Sequence, residues 1–106
     1  MNEAQPEMNL AVLQANAQEA TALLKSLANA SRLLVLCALV GRAHTVGELE
    51  ELTGLSQSAI SQHLARLREA GIVSTRRDAQ RIFYSLNNAE VRAVLETLHG
   101  IYCPDR

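Results

Sequence analysis

Two sets of residues in this chain carry recognition or reactive chemistry. Gln57, Ser58, Ser61, Gln62 and His63 lie between Ser56 and Arg66, and each can both donate and accept hydrogen bonds. Reading the edge of a base pair in the major groove needs that combination within a short reach. Arg66 closes the stretch, and Arg77, Gln80 and Arg81 follow. Arginines of this kind grip phosphate oxygens and position a protein on a duplex without reading its sequence. The other set is a pair of thiols, Cys37 and Cys103, 66 positions apart. A thiol becomes a nucleophile and a soft metal ligand once ionised, whereas a lone cysteine on an apolar helix face is equally at home as a buried hydrophobe. Two cysteines among 106 residues make no disulfide scaffold.

The elements that must position these residues follow from apolar spacing and turn chemistry. Leu10, Leu13, Ala17, Ala20, Leu24 and Leu27 recur at three- and four-residue steps, which predicts a helix from about Asn9 to Leu27. Residues 1–8, with Pro6, are expected to form a flexible lead, and residues 9–106 a single domain. A second helix starts after Asn29, carries Leu33, Leu36, Cys37 and Val40 on one face and stops at Gly41. Thr45 followed by Glu48 forms a capping box for a third helix, Val46 to Thr53. Gly54-Leu55-Ser56 then reverses the chain into a fourth helix ending before Gly71, with Ile60, Leu64 and Leu67 inward and Ser58, Ser61, Gln62 and Arg66 outward. Ile72 to Arg76 and Arg81 to Leu86 read as a hairpin about the polar segment 77–80, and Ala89 to Tyr102 as a final helix.

The expected fold is thus mainly α with a small β-hairpin: four helices, two strands and a fifth helix, the order of a winged helix-turn-helix. The polar helix face, the sharp reversal and the basic hairpin occur in the order that fold needs, which favours double-stranded DNA as partner over a merely solvated helix. The apolar rows Leu10, Leu13, Leu24 and Val94, Leu98, Ile101 exceed what one small chain can cover, so a homodimer is expected.

Bulk properties narrow the function classes. Net charge is −1, yet between Ser56 and Ile82 five arginines face only Glu69 and Asp78, so the basic surface is local. No apolar run approaches the roughly 20 residues of a membrane helix, and no basic start followed by an apolar block marks a secretory leader; a cytoplasmic protein without a membrane partner is expected. No phosphate-binding loop, nucleophile elbow or carboxylate pair is present. Cys37 with His44 or His99 would lack a substrate cleft in a domain this small, so catalysis is not expected. His44, in the linker before the third helix, reads as solvated.

Four stretches together resemble the ArsR/SmtB family: Leu23 to Ala28 with Asn29 and Arg32, Val46-Gly47-Glu48-Leu49, Leu55 through Leu64, and Phe83-Tyr84-Ser85-Leu86. The resemblance spans nearly the whole chain. It implies a homodimer joined by its first and last helices, a wing flanking the duplex, and release of a palindromic operator on inducer binding. The family's metal sites do not carry over. Val46-Gly47-Glu48-Leu49-Glu50 stands where arsenic sensors have Cys-x-Cys, and the last helix offers only Glu90, Glu96 and His99 where zinc sensors place two pairs of ligands. No metal or other cofactor is therefore expected, and a metal-responsive repressor is the weaker alternative. Leu36-Cys37-Ala38-Leu39 and Ile101-Tyr102-Cys103 instead resemble the dithiol subgroup of the family. That resemblance implies sensing of reactive sulfur, with persulfide or polysulfide as inducer and a disulfide or polysulfide bridge between the two cysteines. His99, one helical turn before Cys103, would favour its thiolate if protonated, or else serve an interface. A regulator or antirepressor acting without inducer is the remaining reading.

Overall fold

The computed structural model describes residues 7–103. Six helices and one antiparallel hairpin follow in the order α1 (Leu10–Ala15), α2 (Ala17–Leu27), α3 (Ala30–Gly41), α4 (Val46–Thr53), α5 (Gln57–Glu69), β1 (Val73–Asp78), β2 (Arg81–Leu86) and α6 (Ala89–Tyr102). This is the expected winged helix-turn-helix with one difference: the first helix is broken at Asn16 into α1 and α2. There the backbone leaves helical geometry at φ −112°, ψ 13°, and its N–H turns to Leu13 and Gln14. Its side chain donates to the Val12 carbonyl at 3.1 Å. Asparagine competes in this way with the helical hydrogen bonds, which is why it favours helix ends over helix interiors. The expected flexible lead over residues 1–8 falls outside the described residues except for Glu7 and Met8.

Helix boundaries elsewhere sit where the side chains place them. Asn29, Thr45, Ser56 and Asn88 each cap the following helix by accepting from a backbone N–H three residues on. Gly54 ends α4 in the left-handed region at φ 75°, a conformation that costs a residue with a Cβ about 1 kcal/mol or more. Helix α3 lies at the centre. Its Val35, Leu36 and Leu39 meet Leu49 of α4, Ile60, Leu64 and Leu67 of α5, Ile72 and Val73 at the start of the hairpin, and Val91 and Leu95 of α6.

This packing corrects the face assigned to α3. Its buried stripe is Val35-Leu36-Leu39, while Cys37 is exposed and Leu33 and Val40 are only half-buried. The helix is apolar nearly all round, so periodicity alone does not select the face turned inward.

Two long side chains tie off helix ends. Arg32 donates to the Ser26 and Lys25 carbonyls at the end of α2, at 2.6 and 3.1 Å. Arg92 of α6 donates to the Val40 carbonyl at the end of α3, at 2.9 Å. Both satisfy carbonyls that a helix terminus leaves without an intrahelical partner. Among the described residues no single helix is long and apolar enough to cross a membrane.

Candidate DNA interface and thiol pair

Helix α5 is fixed by Ile60, Leu64 and Leu67, each at most 2% exposed, and this turns the opposite face outward. Ser58, Ser61, Gln62 and Arg66 lie on or beside that face and are exposed, while Gln57, one turn before Ile60, is exposed as the first residue of the helix. Ser56 serves the helix first, since its hydroxyl accepts from the Ala59 N–H at 3.1 Å and forms the N-cap. His63 is half-buried beside the outward row. Burial, then the positive charges of Arg32 and Arg66, hold its pKa below the usual histidine value of 6.5. At neutral pH its ring is therefore uncharged, with one nitrogen donating and one accepting, rather than a cation for phosphate.

The hairpin pairs Val73 with Leu86 through Asp78 with Arg81, so the turn is the two residues Ala79 and Gln80, shorter than the four-residue segment expected. Ala79 takes up the reversal at φ 60°. Arg77 and Gln80 project from the tip, both exposed. Arg76 and Arg81 flank the Phe83 ring, with guanidinium carbons 4.9 and 5.0 Å from its centroid. Ser61, Arg66 and Arg68 of α5 and Tyr84 of β2 line a groove of about 570 Å³ between helix and wing. The structure thus gathers Arg66, Arg68, Arg76, Arg77 and Arg81 around one recognition helix and one ribbon.

His44 is not solvated, contrary to the expectation from sequence. It is 6% exposed, and its backbone exchanges two hydrogen bonds with Tyr84, at 2.9 and 2.8 Å, as a single antiparallel bridge to β2. Its Nδ1 lies 3.0 Å from Glu48 Oε1. Because a carboxylate only accepts, His44 donates here. The capping pattern Thr45-x-x-Glu48 is present as expected, but Glu48 also reaches Arg81 at 3.3 Å. That partner stands 33 residues away and left no local signal.

Cys37 and His99 line a groove of about 280 Å³ with Val40, Gly41, Leu95 and Glu96, between α3 and α6. Cys103 follows the last turn of α6 and its N–H donates to the His99 carbonyl at 2.7 Å. Burial, and then the negative charge of a neighbouring Cys103 thiolate, push the Cys37 thiol above its ordinary pKa. Both cysteines are free and exposed.

Comparison with known proteins decides the family. Residues 29–75, which span α3 to the first residues of the hairpin, match the model of bacterial regulatory proteins of the arsR family. The HTH-type transcriptional regulator YgaV of Escherichia coli K12 is 54% identical over 96 residues, covering 90% of this chain and 97% of that protein. The chain belongs to the arsR family. As an arsR-family protein it is a DNA-binding transcription regulator. Another relative, the transcriptional activator HlyU of Vibrio cholerae, is 50% identical over 91% of this chain and 89% of that one. HlyU has also been solved in a form described as reduced, which superposes with a TM-score of 0.81 at 49% identity over 86% of this chain and 96% of that one. The transcriptional repressor BigR of Xylella fastidiosa matches with a TM-score of 0.86 at 41% identity, over 91% of this chain and 98% of that chain.

Proposed function

We propose that this arsR-family regulator binds a palindromic operator as a homodimer and that the state of the Cys37–Cys103 pair controls its occupancy. In this reading α5 reads bases through Gln57, Ser58, Ser61, Gln62 and His63. Arg66, Arg77, Gln80 and Arg81 hold the backbone, and the protein acts without catalysis. The observation that carries the thiol reading is placement: Cys37 and His99 share one groove between α3 and α6, and Cys103 lies one turn beyond His99, close enough for its charge to act on Cys37. A relative described in a reduced form is consistent with thiol chemistry in this branch. The relatives include a repressor and an activator, so the proposal concerns occupancy and not the sign of regulation.

The chemistry balances with a low-molecular-weight persulfide as oxidant. Cys103, whose neighbour is the harder thiol to ionise, attacks the outer sulfur of the donor; a new S–S bond forms and the donor leaves as its thiolate. A second transfer gives Cys37 persulfide. Attack of one persulfide on the other then closes a trisulfide and expels hydrogen sulfide. The inserted sulfur widens the gap that can be bridged beyond the Cα separation of about 7 Å that limits a direct disulfide.

Cys37→Ser and Cys103→Ser should each bind operator as the wild type does and keep it when treated with glutathione persulfide, while the wild type releases it. Mass spectrometry should find a Cys37–Cys103 cross-link heavier than a disulfide by whole sulfur atoms. Release from either serine variant, or release of the wild type by zinc with both thiols reduced, would sink the proposal.

A further inference from the structure

We propose that Glu48 is a positioning residue for DNA binding, acting through Arg81 to hold the wing at a fixed angle to the helix-turn-helix. The proposal stands independently of the thiol pair. The two oxygens of Glu48 serve different elements. Oε1 accepts from the Thr45 N–H at 3.2 Å and from His44 Nδ1 at 3.0 Å, with Arg42 3.8 Å away. Oε2 accepts from Arg81, the first residue of β2, at 3.3 Å. A capping glutamate needs only the first of these sets. The second links α4 to the far strand of the hairpin.

That link matters because a two-stranded ribbon is marginal by itself. Among the described residues, the hydrogen bonds and ion pairs that join this ribbon to α4 and its leading segment are the backbone pairing of His44 with Tyr84 and the Glu48–Arg81 pair. Beside the Glu48–Arg81 pair lies an open groove of about 560 Å³, lined by Thr45, Gly47, Glu48, Glu50, Glu51 and Arg81. The Arg81 guanidinium also lies 5.0 Å from the centre of the Phe83 ring, which it shares with Arg76. Held between carboxylate and ring, Arg81 keeps the ribbon at one angle, so its basic groups reach the duplex already ordered, and binding has less freedom to remove.

Glu48→Gln separates the capping role from the bracing role. Glutamine keeps a carbonyl oxygen for Thr45 and His44, as in the Gln form of the capping box, but its amide nitrogen cannot accept from Arg81. Binding to a fluorescein-labelled mixed-sequence duplex, read by anisotropy, should weaken by about two- to fivefold, the scale of one partly exposed ion pair. The melting temperature at neutral pH should fall by only a few degrees, the small stabilisation the Glu48 carboxylate gives, so the affinity is read on a folded protein. In an Arg81→Gln background the same substitution should have no further effect on affinity. Hydrogen exchange of the Tyr84 amide should accelerate in both single variants, and Arg81→Gln gives this reading with the α4 cap untouched, even if Glu48→Gln folds poorly. Unchanged or tighter binding, an equal loss in both backgrounds, or an unaltered Tyr84 amide in Arg81→Gln would each overturn the proposal.

Discussion

Gln62 stands on the exposed face of α5 with no side-chain hydrogen bond to the protein among the described residues, so its amide is free to read a base. One bidentate contact of this kind discriminates by about 1–3 kcal/mol against the wrong base. Gln62→Ala should therefore flatten the preference for operator over random sequence while leaving affinity for mixed-sequence DNA nearly unchanged. A selection of bound duplexes from a random pool checks this, and an unchanged consensus would shift the reading face to other residues of α5. Glu48 carries a second residue-scale consequence, in acid. Its pKa is lowered from 4.5, first by the His44 hydrogen bond, then by the Thr45 N–H. A carboxylate whose folded pKa is depressed contributes stability that is complete above the unfolded pKa and is lost as pH falls through the folded one. The wild type should thus lose stability relative to Glu48→Gln as pH drops below 4.5, and acid melts of the two proteins should converge there. At this scale the outward row of α5 was legible because it is local. The burial of His44 and the reach of Glu48 to Arg81 were not, since both depend on β2 returning beside the start of α4.

In the proposed interface the wing contributes to affinity as a unit. Arg77 pairs with Ile82 in the ladder, near the tip, and unlike Arg76 and Arg81 it is not stacked on Phe83. Its guanidinium is the one most free to meet a phosphate. Arg77→Ala should weaken operator and random DNA by the same factor and reduce the slope of log K against log salt by about 0.9, one phosphate contact. A loss confined to the operator would mean the wing reads bases. Helix ends and the capping box could be read directly because caps act over three residues. Two element-level features escaped that reading. Asn16 sits inside an apolar repeat that continues past it, so the break depends on its own side-chain bond rather than on periodicity. The inward face of α3 is set by the neighbours it meets, and only the folded core distinguishes Leu36 from Cys37.

At the scale of the whole molecule, the chain is long for its size. It measures 54 × 34 × 23 Å, with a radius of gyration of 16.1 Å where about 13 Å is usual for 100 residues. Helix α1 has no buried residue, and Leu10, Leu13, Leu24 and Ile101 are 47% to 70% exposed. In the proposed homodimer these apolar faces meet the second copy of the chain. Leu13→Glu and Ile101→Glu, harmless to a lone subunit because both sites are already open to solvent, should convert dimer to monomer in sedimentation. An unchanged dimer would place the interface elsewhere. The join between α3 and the wing carries its own mechanical consequence. Cys37 is one turn from the C-terminal end of α3, and Arg92 clamps α6 to that same end through the Val40 carbonyl. From Gly41 only Arg42 and Ala43 intervene before His44 is laced to Tyr84. The parts are geared rather than tethered: two residues alone separate the end of α3 that Arg92 grips from the bridge that holds β2.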